Sequence, residues 1–338
     1  MDERRCRARE IRREYFKDKS EISIAHGLNQ ELVEDILAVN PDIQILQFEL
    51  LTDTKFETEL LSHFKSLIQI GVWGGTSLKE VDLKGLSDVK SLVKFVLSIQ
   101  PTNGIDKVDI SPLGNLDNLE IVNILCPLRK LIGLEKLGNC PNLYALQLAS
   151  LDVDNLDLSR LSGSGIKSLH INDLGKQYPT QPYIIKMPRN IPLSEFVVSQ
   201  CYSPELKVEI DFSWIEDVEA IDNLTLSQCN LSSFDLNVLS PLRRIGSIDL
   251  TENEFTHLDI TPILDKPMFT EKTFTESVFK VDENVMIQID KTKQDEIDSL
   301  IAKEDTMIEE HQGYLTVLPE FGHHWLEDLI EKHDVEWI

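Results

Sequence analysis

A chain of 338 residues exceeds what one compact core usually organises, so several domains or a repeat array is expected. Hydrophobic residues at 41% and charged residues at 27% fit a folded, soluble protein and exclude a disordered one. Fifty-eight acidic against 33 basic residues leave a formal charge of −25, a field that repels phosphate and argues against nucleic acid or an anionic membrane as the main partner.

The first residues, MDERRCRAREIRREYF, offer no apolar stretch for secretion and too many acids for a transit peptide, so a cytoplasmic protein is expected. No run of about eighteen apolar residues occurs, so no membrane-spanning helix is expected. Five cysteines (Cys6, Cys126, Cys140, Cys201, Cys229), an odd count without CxxC spacing, fit reduced thiols better than a disulfide framework or a zinc site. Residues 1–19 hold eight Lys/Arg and five Asp/Glu, +3 against −28 for the rest. This tip reads as a solvated helix or frayed tail, or else as a basic arm that docks on an acidic partner or on the acidic solenoid itself. LNQELVEDILAVN at 28–40 has apolar residues at helical spacing and ends before Pro41, which predicts a helical cap. Residues 1–40 are therefore expected to form the basic arm and the cap.

From 41 to 281 a repeat takes over. A frame L-x-x-L-x-L starts at Ile43, Leu67, Leu92, Leu119, Leu143, Ile166, Leu193, Ile221 and Ile245, nine starts separated by 23 to 28 residues. A tenth, degenerate unit is expected near Phe269. Six boxes accompany the frames: VDLKGL at 81–86, VDISPL at 108–113, LDLSRL at 156–161, IDFSWI at 210–215, FDLNVL at 234–239 and LDITPI at 258–263. Frame positions four and six put two apolar side chains on one face of a short strand, and positions three, five and seven face the other way. One such unit cannot bury its apolar face alone, so neighbouring units must stack. The recurring Asp of the boxes, polar between apolar neighbours, is expected to cap the turn that follows.

The stretches IGSIDLTEN at 245–253 and IDNLTLSQCNL at 221–231 resemble the leucine-rich-repeat consensus L-x-x-L-x-L-x-x-N/C-x-L. DISPLGNLDNL at 109–119 is similar to the internalin and phosphatase-regulator type of repeat. The resemblance covers roughly residues 41–270; its ladder asparagine is present only as Asn253, with Cys201 and Cys229 at the same place in neighbouring repeats. It implies an α/β repeat solenoid, a horseshoe or arc with parallel strands on its concave face, and it implies a protein or peptide partner bound there.

Position five reads Gln47, Gly71, Val96, Asn123, Gln147, His170, Val197, Thr225 and Asp249, and position seven reads Glu49, Trp73, Ser98, Leu125, Ala149, Asn172, Ser199, Ser227 and Thr251. These columns are polar but largely uncharged, suited to satisfying a ligand's backbone, with Trp73, Leu125 and nearby Tyr144 as apolar anchors. The expected partner-binding residues are Trp73, Asn123, Leu125, Tyr144, Gln147, His170 and Asn172, weighed against the plainer reading that outward strand positions are merely soluble.

After the last frame, VMIQI at 285–289, QDEIDSLIAKE at 294–304, YLTVL at 314–318 and HHWLEDLIEKH at 323–333 read as strand, helix, strand, helix, so residues 282–338 are expected to be a small C-terminal cap or module. The chain has no GxxxxGK[ST], GxGxxG, GxSxG or HExxH motif, and no cysteine follows Cys229, which speaks against a catalytic-cysteine ligase tail. His311, His323, His324, Glu327 and His333 are the one group of ligand-type residues, and their spacing does not force three ligands together, so no metal and no cofactor is expected. The expected function is a monomeric, non-enzymatic scaffold for a protein or peptide; the alternative is a specificity subunit acting on a phosphatase, GTPase or ubiquitin-type enzyme.

Overall fold

The computed structural model describes residues 3–100, 105–153, 155–174, 183–201, 207–266, 279–299 and 325–338. Eleven parallel strands follow one another in sequence order to make a single sheet. They are β1 (Glu21–Ile24), β2 (Ile45–Leu50), β3 (Gln69–Gly74), β4 (Lys94–Ile99), β5 (Ile121–Leu125), β6 (Ala145–Ala149), β7 (Ser168–Asn172), β8 (Glu195–Ser199), β9 (Ala220–Ser227), β10 (Arg244–Asp249) and β11 (Phe279–Lys280). β2 to β10 are the nine expected frames. β1 extends the sheet ahead of residue 41, and Phe269 lies outside the described residues.

The alternation dictates this architecture. Position one of every frame is buried, from Ile43 and Leu67 to Ile221 and Ile245, and so are positions four and six: Leu46 and Phe48, Ile70 and Val72, Phe95 and Leu97, and onward to Ile248 and Leu250. Each repeat thus brings three apolar side chains into one continuous core, while its neighbours cover the open sides. At about 4.8 Å per strand, eleven strands give a face about 50 Å long.

The boxes lie on the opposite, outer side as short strands leading into 3-10 turns. Lys55–Glu57 pairs with Glu80–Asp82, and Lys107–Asp109 with Lys130–Ile132. Asn155–Asp157, Tyr183–Lys186 and Val208–Ile210 form a third group, and His257–Asp259 pairs with Met286–Ile289, which pairs in turn with Val335–Trp337. The box aspartates do cap: Oδ1 of Asp82, Asp109, Asp157, Asp211, Asp235 and Asp259 each accepts the backbone N–H two residues on, at 2.9 to 3.0 Å. Asp290 does the same for Thr292 at 2.8 Å, so IDKTK at 289–293 is a seventh box. The strand at 286–289 therefore continues the outer ladder of the repeats, across residue 281. Helical residues 294–299 follow, YLTVL at 314–318 lies outside the described residues, and a helix occupies Trp325–Lys332.

The N-terminal tip docks. Helix α1 (Glu3–Phe16) packs against α2 (Gln30–Leu37), which Asn29 caps by accepting the Leu32 N–H at 2.9 Å. The Asp35 side chain, fully buried on α2, takes Arg9 at 2.8 Å, Arg13 at 2.9 Å and Arg12 at 3.0 Å, and Arg12 also meets Glu31. The arm is thus a docked helix, and its arginines are held by the helical cap at 30–37 rather than by the acidic repeats. Asn40 locks the corner by donating to the carbonyls of Phe16 and Lys19 at 3.0 and 2.8 Å.

From the fifth frame on, position eight turns left-handed: Ser150, Asp173, Gln200, Gln228 and Glu252 have φ between 54° and 63°. None is glycine, so each holds about 1 kcal/mol of backbone strain. In the first three frames the strand runs one residue further, through Leu50, Gly74 and Ile99, and in the fourth it stops at Leu125.

Candidate functional site: the concave face

Strand pairing turns the two sequence columns into physical rows. Position five is one line of Cα partners, Ser23, Gln47, Gly71, Val96, Asn123, Gln147, His170, Val197, Thr225, Asp249 and Lys280, without a slip in register. Position seven runs in step from Glu49 through Trp73, Ser98, Leu125, Ala149, Asn172 and Ser199 to Ser227.

Asn123, Gln147 and His170 are consecutive in the first line, and Leu125 and Asn172 flank Ala149 in the second; all five are half-buried. Trp73 and Tyr144 keep 40% and 41% of their surface exposed, and Ile68 keeps 36%. Yet the two aromatics do not share a pocket. Trp73 leaves at the end of β3 and Tyr144 stands at the entry to β6, five residues and three strands apart, which strand geometry makes roughly 20 Å.

Gly71 explains how Trp73 sits. A Cβ there would come within 2.0 Å of Gln47 Oε1 and 2.1 to 2.2 Å of two carbons of the Trp73 ring. The indole thus lies back across β3, in a notch that only glycine leaves open.

The C-terminal half of the face is a hydrogen-bonded network that columns five and seven alone do not reveal, because its centre is at position three. Ser168 donates to Glu195 Oε2 at 2.6 Å, and His170 Nε2 stands 3.2 Å from the same oxygen. Burial pushes the Glu195 carboxyl up, but hydrogen bonds from Ser168, His170 and Asn223, with the attraction of His170, hold it below the ordinary glutamate value. Thr225 and Ser247 each donate to Asn223 Oδ1 at 3.1 Å, and Ser199 donates to Asn172 Oδ1 at 2.9 Å. The alternation that put positions five and seven outward applies equally to position three, and that was the available signal.

Asp249 is occupied by the N–H and hydroxyl of Thr251, at 3.1 and 2.7 Å. Cys201 and Cys229 are free, buried thiols. Asn253, at their place in the next repeat, accepts the N–H of Cys229 and of Leu231 and donates to the carbonyls of Leu226 and Leu250, which is the work of a turn-bracing ladder residue.

On the outer side, the ladder breaks between Lys130–Ile132 and Asn155–Asp157, and a cleft of about 380 Å³ opens over Leu131, Leu134, Leu151 and Val153. Gly133, with φ 82°, replaces the capping geometry there. Glu135, Asn155, Asp157 and Arg160 share the lining, and Asp157 is committed to Ser159. Of the histidine group, His311, His323 and His324 lie outside the described residues, and buried His333 has its Nδ1 3.0 Å from the Val285 carbonyl. Among the described residues, no cluster of three metal-ligating side chains occurs, and no helix is long and apolar enough to cross a membrane.

No protein-family model and no curated protein matches the chain. Among solved structures it is similar to an internalin (inlF) of Listeria monocytogenes, 14% identical over 82% of this chain and 84% of that one, with a TM-score of 0.43. It is also similar to the leucine-rich-repeat domain of APL1, 12% identical over 80% and 87% with a TM-score of 0.34. A third is the plant peptide hormone receptor RGFR1, solved in complex with RGF2, 13% identical over 83% and 53% with a TM-score of 0.32. Those likenesses are remote; the unbroken parallel sheet of eleven strands, nine of them in the repeated frame, makes this chain an α/β repeat solenoid.

Proposed function

We propose that the chain is a monomeric, non-enzymatic scaffold that holds a protein or peptide on its concave face. The observation that carries this reading is the division of that face. Its N-terminal half leaves Ile68, Trp73 and Tyr144 in solvent although the core is complete without them, and its middle offers a line of amides and an imidazole at Asn123, Gln147 and His170. Exposed aromatics beside small polar groups are the surface from which binding hot spots are drawn. The −25 charge disfavours nucleic acid and anionic membranes as partners.

The test is a selection of displayed peptides and small domains on the folded chain, followed by calorimetry and amide exchange on a purified binder. Trp73→Ala is expected to weaken binding by about 2 kcal/mol, some thirty-fold, and Asp249→Ala much less. Protection confined to the outer strands, with unchanged affinity in folded Trp73→Ala, overturns the reading. If the binder is an enzyme, a changed turnover in the complex identifies a regulatory subunit.

A further inference from the structure

We propose that Cys201 and Cys229 close a reversible disulfide between two neighbouring repeats. Both stand at position nine of their frames. The pairing of β8 with β9 sets Ser199 opposite Ser227, two residues before each cysteine. The backbones remain bonded beyond the strands, because the Cys201 N–H donates to the Gln228 carbonyl at 2.8 Å. Gln200 and Gln228, at φ 62° and 54°, turn the two chains alike, and both thiols point inward with exposures of 5% and 0%. Cys229 Sγ reaches back to its neighbour's strand, 3.3 Å from the Val198 carbonyl. Adjacent strands put Cα atoms about 5 Å apart, inside the ~4.4–6.8 Å window of disulfides.

The other buried thiols lack this arrangement. Cys126 and Cys140 donate to the carbonyls of Leu97 and Leu113 at 3.4 and 3.3 Å, much as Cys229 does to Val198, but neither has a cysteine at its place in an adjoining frame, where Ile99 and Ser150 flank Cys126 and Leu116 and Gly163 flank Cys140.

The environment also sets the pace. The Cys229 thiol is pushed up by its hydrogen bond with Cys201 and then by burial. Tyr183, whose phenol is pushed up by burial and by Cys201, has a hydroxyl without a hydrogen-bond partner among the described residues. The Cys229 thiolate is therefore scarce in the folded protein, and its buried sulfur meets oxidant readily during folding but slowly afterwards. With oxidised glutathione, one cysteine thiolate attacks a glutathione sulfur, breaking that disulfide and releasing one glutathione thiolate. The second cysteine thiolate then attacks the protein sulfur of the mixed disulfide and expels the other glutathione. Two protein thiols and one glutathione disulfide become one protein disulfide and two glutathiones, which take up the two protons.

The experiment uses the full chain carrying Cys6→Ser, because Cys6 is exposed. It is unfolded and reduced, refolded with oxidised or with reduced glutathione, alkylated in denaturant and mapped by mass spectrometry. A cross-linked Cys201–Cys229 peptide is expected, about 2 Da lighter than its reduced parts. Cys126 and Cys140 should be alkylated, and the oxidised sample should melt on the order of 5 °C higher. Alkylation of all four cysteines in the oxidised sample, or cross-links spread among other pairs, overturns the proposal. So does a melting shift that persists in both Cys201→Ala and Cys229→Ala; if either variant fails to fold, the peptide map alone decides.

Discussion

Gly71→Ala tests whether the concave face is built around the seat of Trp73. The new methyl would lie 2.0 Å from Gln47 Oε1 and 2.1 Å from the indole, so the ring must lift, since the strand beneath it is fixed by pairing on both sides. Trp73 is 40% exposed, so some 150 of a tryptophan's ~250 Å² is covered, about 4 kcal/mol at ~25 cal/mol per Å². Lifting the ring gives up about half of that, about 2 kcal/mol, and replacing a strand glycine with alanine returns about 0.5–1 kcal/mol. The net loss is about 1 kcal/mol. On a Trp73→Ala background the methyl meets only the Gln47 amide, the movable end of a flexible side chain, and should be neutral or mildly stabilising, so the double-mutant cycle carries a coupling of about 2 kcal/mol. Urea titration of the four proteins measures the coupling. The emission of Gly71→Ala, after subtraction of Trp73→Ala, should shift to the red. Additive stabilities, or an unshifted difference spectrum, would refute the packing argument.

Asp35→Ala should release α1 while leaving the repeats intact, because a solenoid unit depends on its neighbours alone; amides of α1 should exchange at the rate of an unstructured peptide, with β4 to β9 protected as before, and unchanged protection in α1 would deny the arginines their role. Glu195 has a depressed folded-state pKa, so its stabilising effect is present above the unfolded value of about 4.3 and is lost as pH falls through the folded one. Glu195→Gln should accordingly lower stability at pH 7 and flatten its decline in acid, read from melting temperatures between pH 3 and 7; an unaltered slope counts against the network. Gln228→Gly should be neutral or stabilising and Gln228→Val destabilising by about 1–2 kcal/mol, since φ 54° suits the one and not the other; equal midpoints for the two would contradict the left-handed turn.

The repeat could be read from sequence because its signal is carried three times in every frame, by positions one, four and six, so that uneven spacing did not obscure it. What escaped were elements with a single signal. EISI at 21–24 alternates correctly but is four residues long and has no box before it. Asp290 stood in a stretch whose last box residues are Thr, Lys and Gln, which hid its kinship with LDITPI. Charge alone could not decide the fate of the arginine-rich tip, because Asp35 looks like any solvated helix residue until α1 is laid on it. The columns five and seven were legible in full; Glu195 was not, because its importance lies in Ser168 and His170, 27 and 25 residues away, converging on one oxygen.

The uneven pairing along the inner sheet also gives the molecule a mechanical polarity. Hydrogen bonds between parallel strands point along the array, so tension on its two ends loads the interfaces in series and the weakest one yields first. β2 and β3 share six residue pairs, whereas among the described residues β10 holds β11 by two, Ile248 with Phe279 and Asp249 with Lys280. A pulled sheet therefore opens at its two ends first, at β11 and then at β1, which β2 holds by four pairs, and the stretch that seats Trp73 is among the last to open.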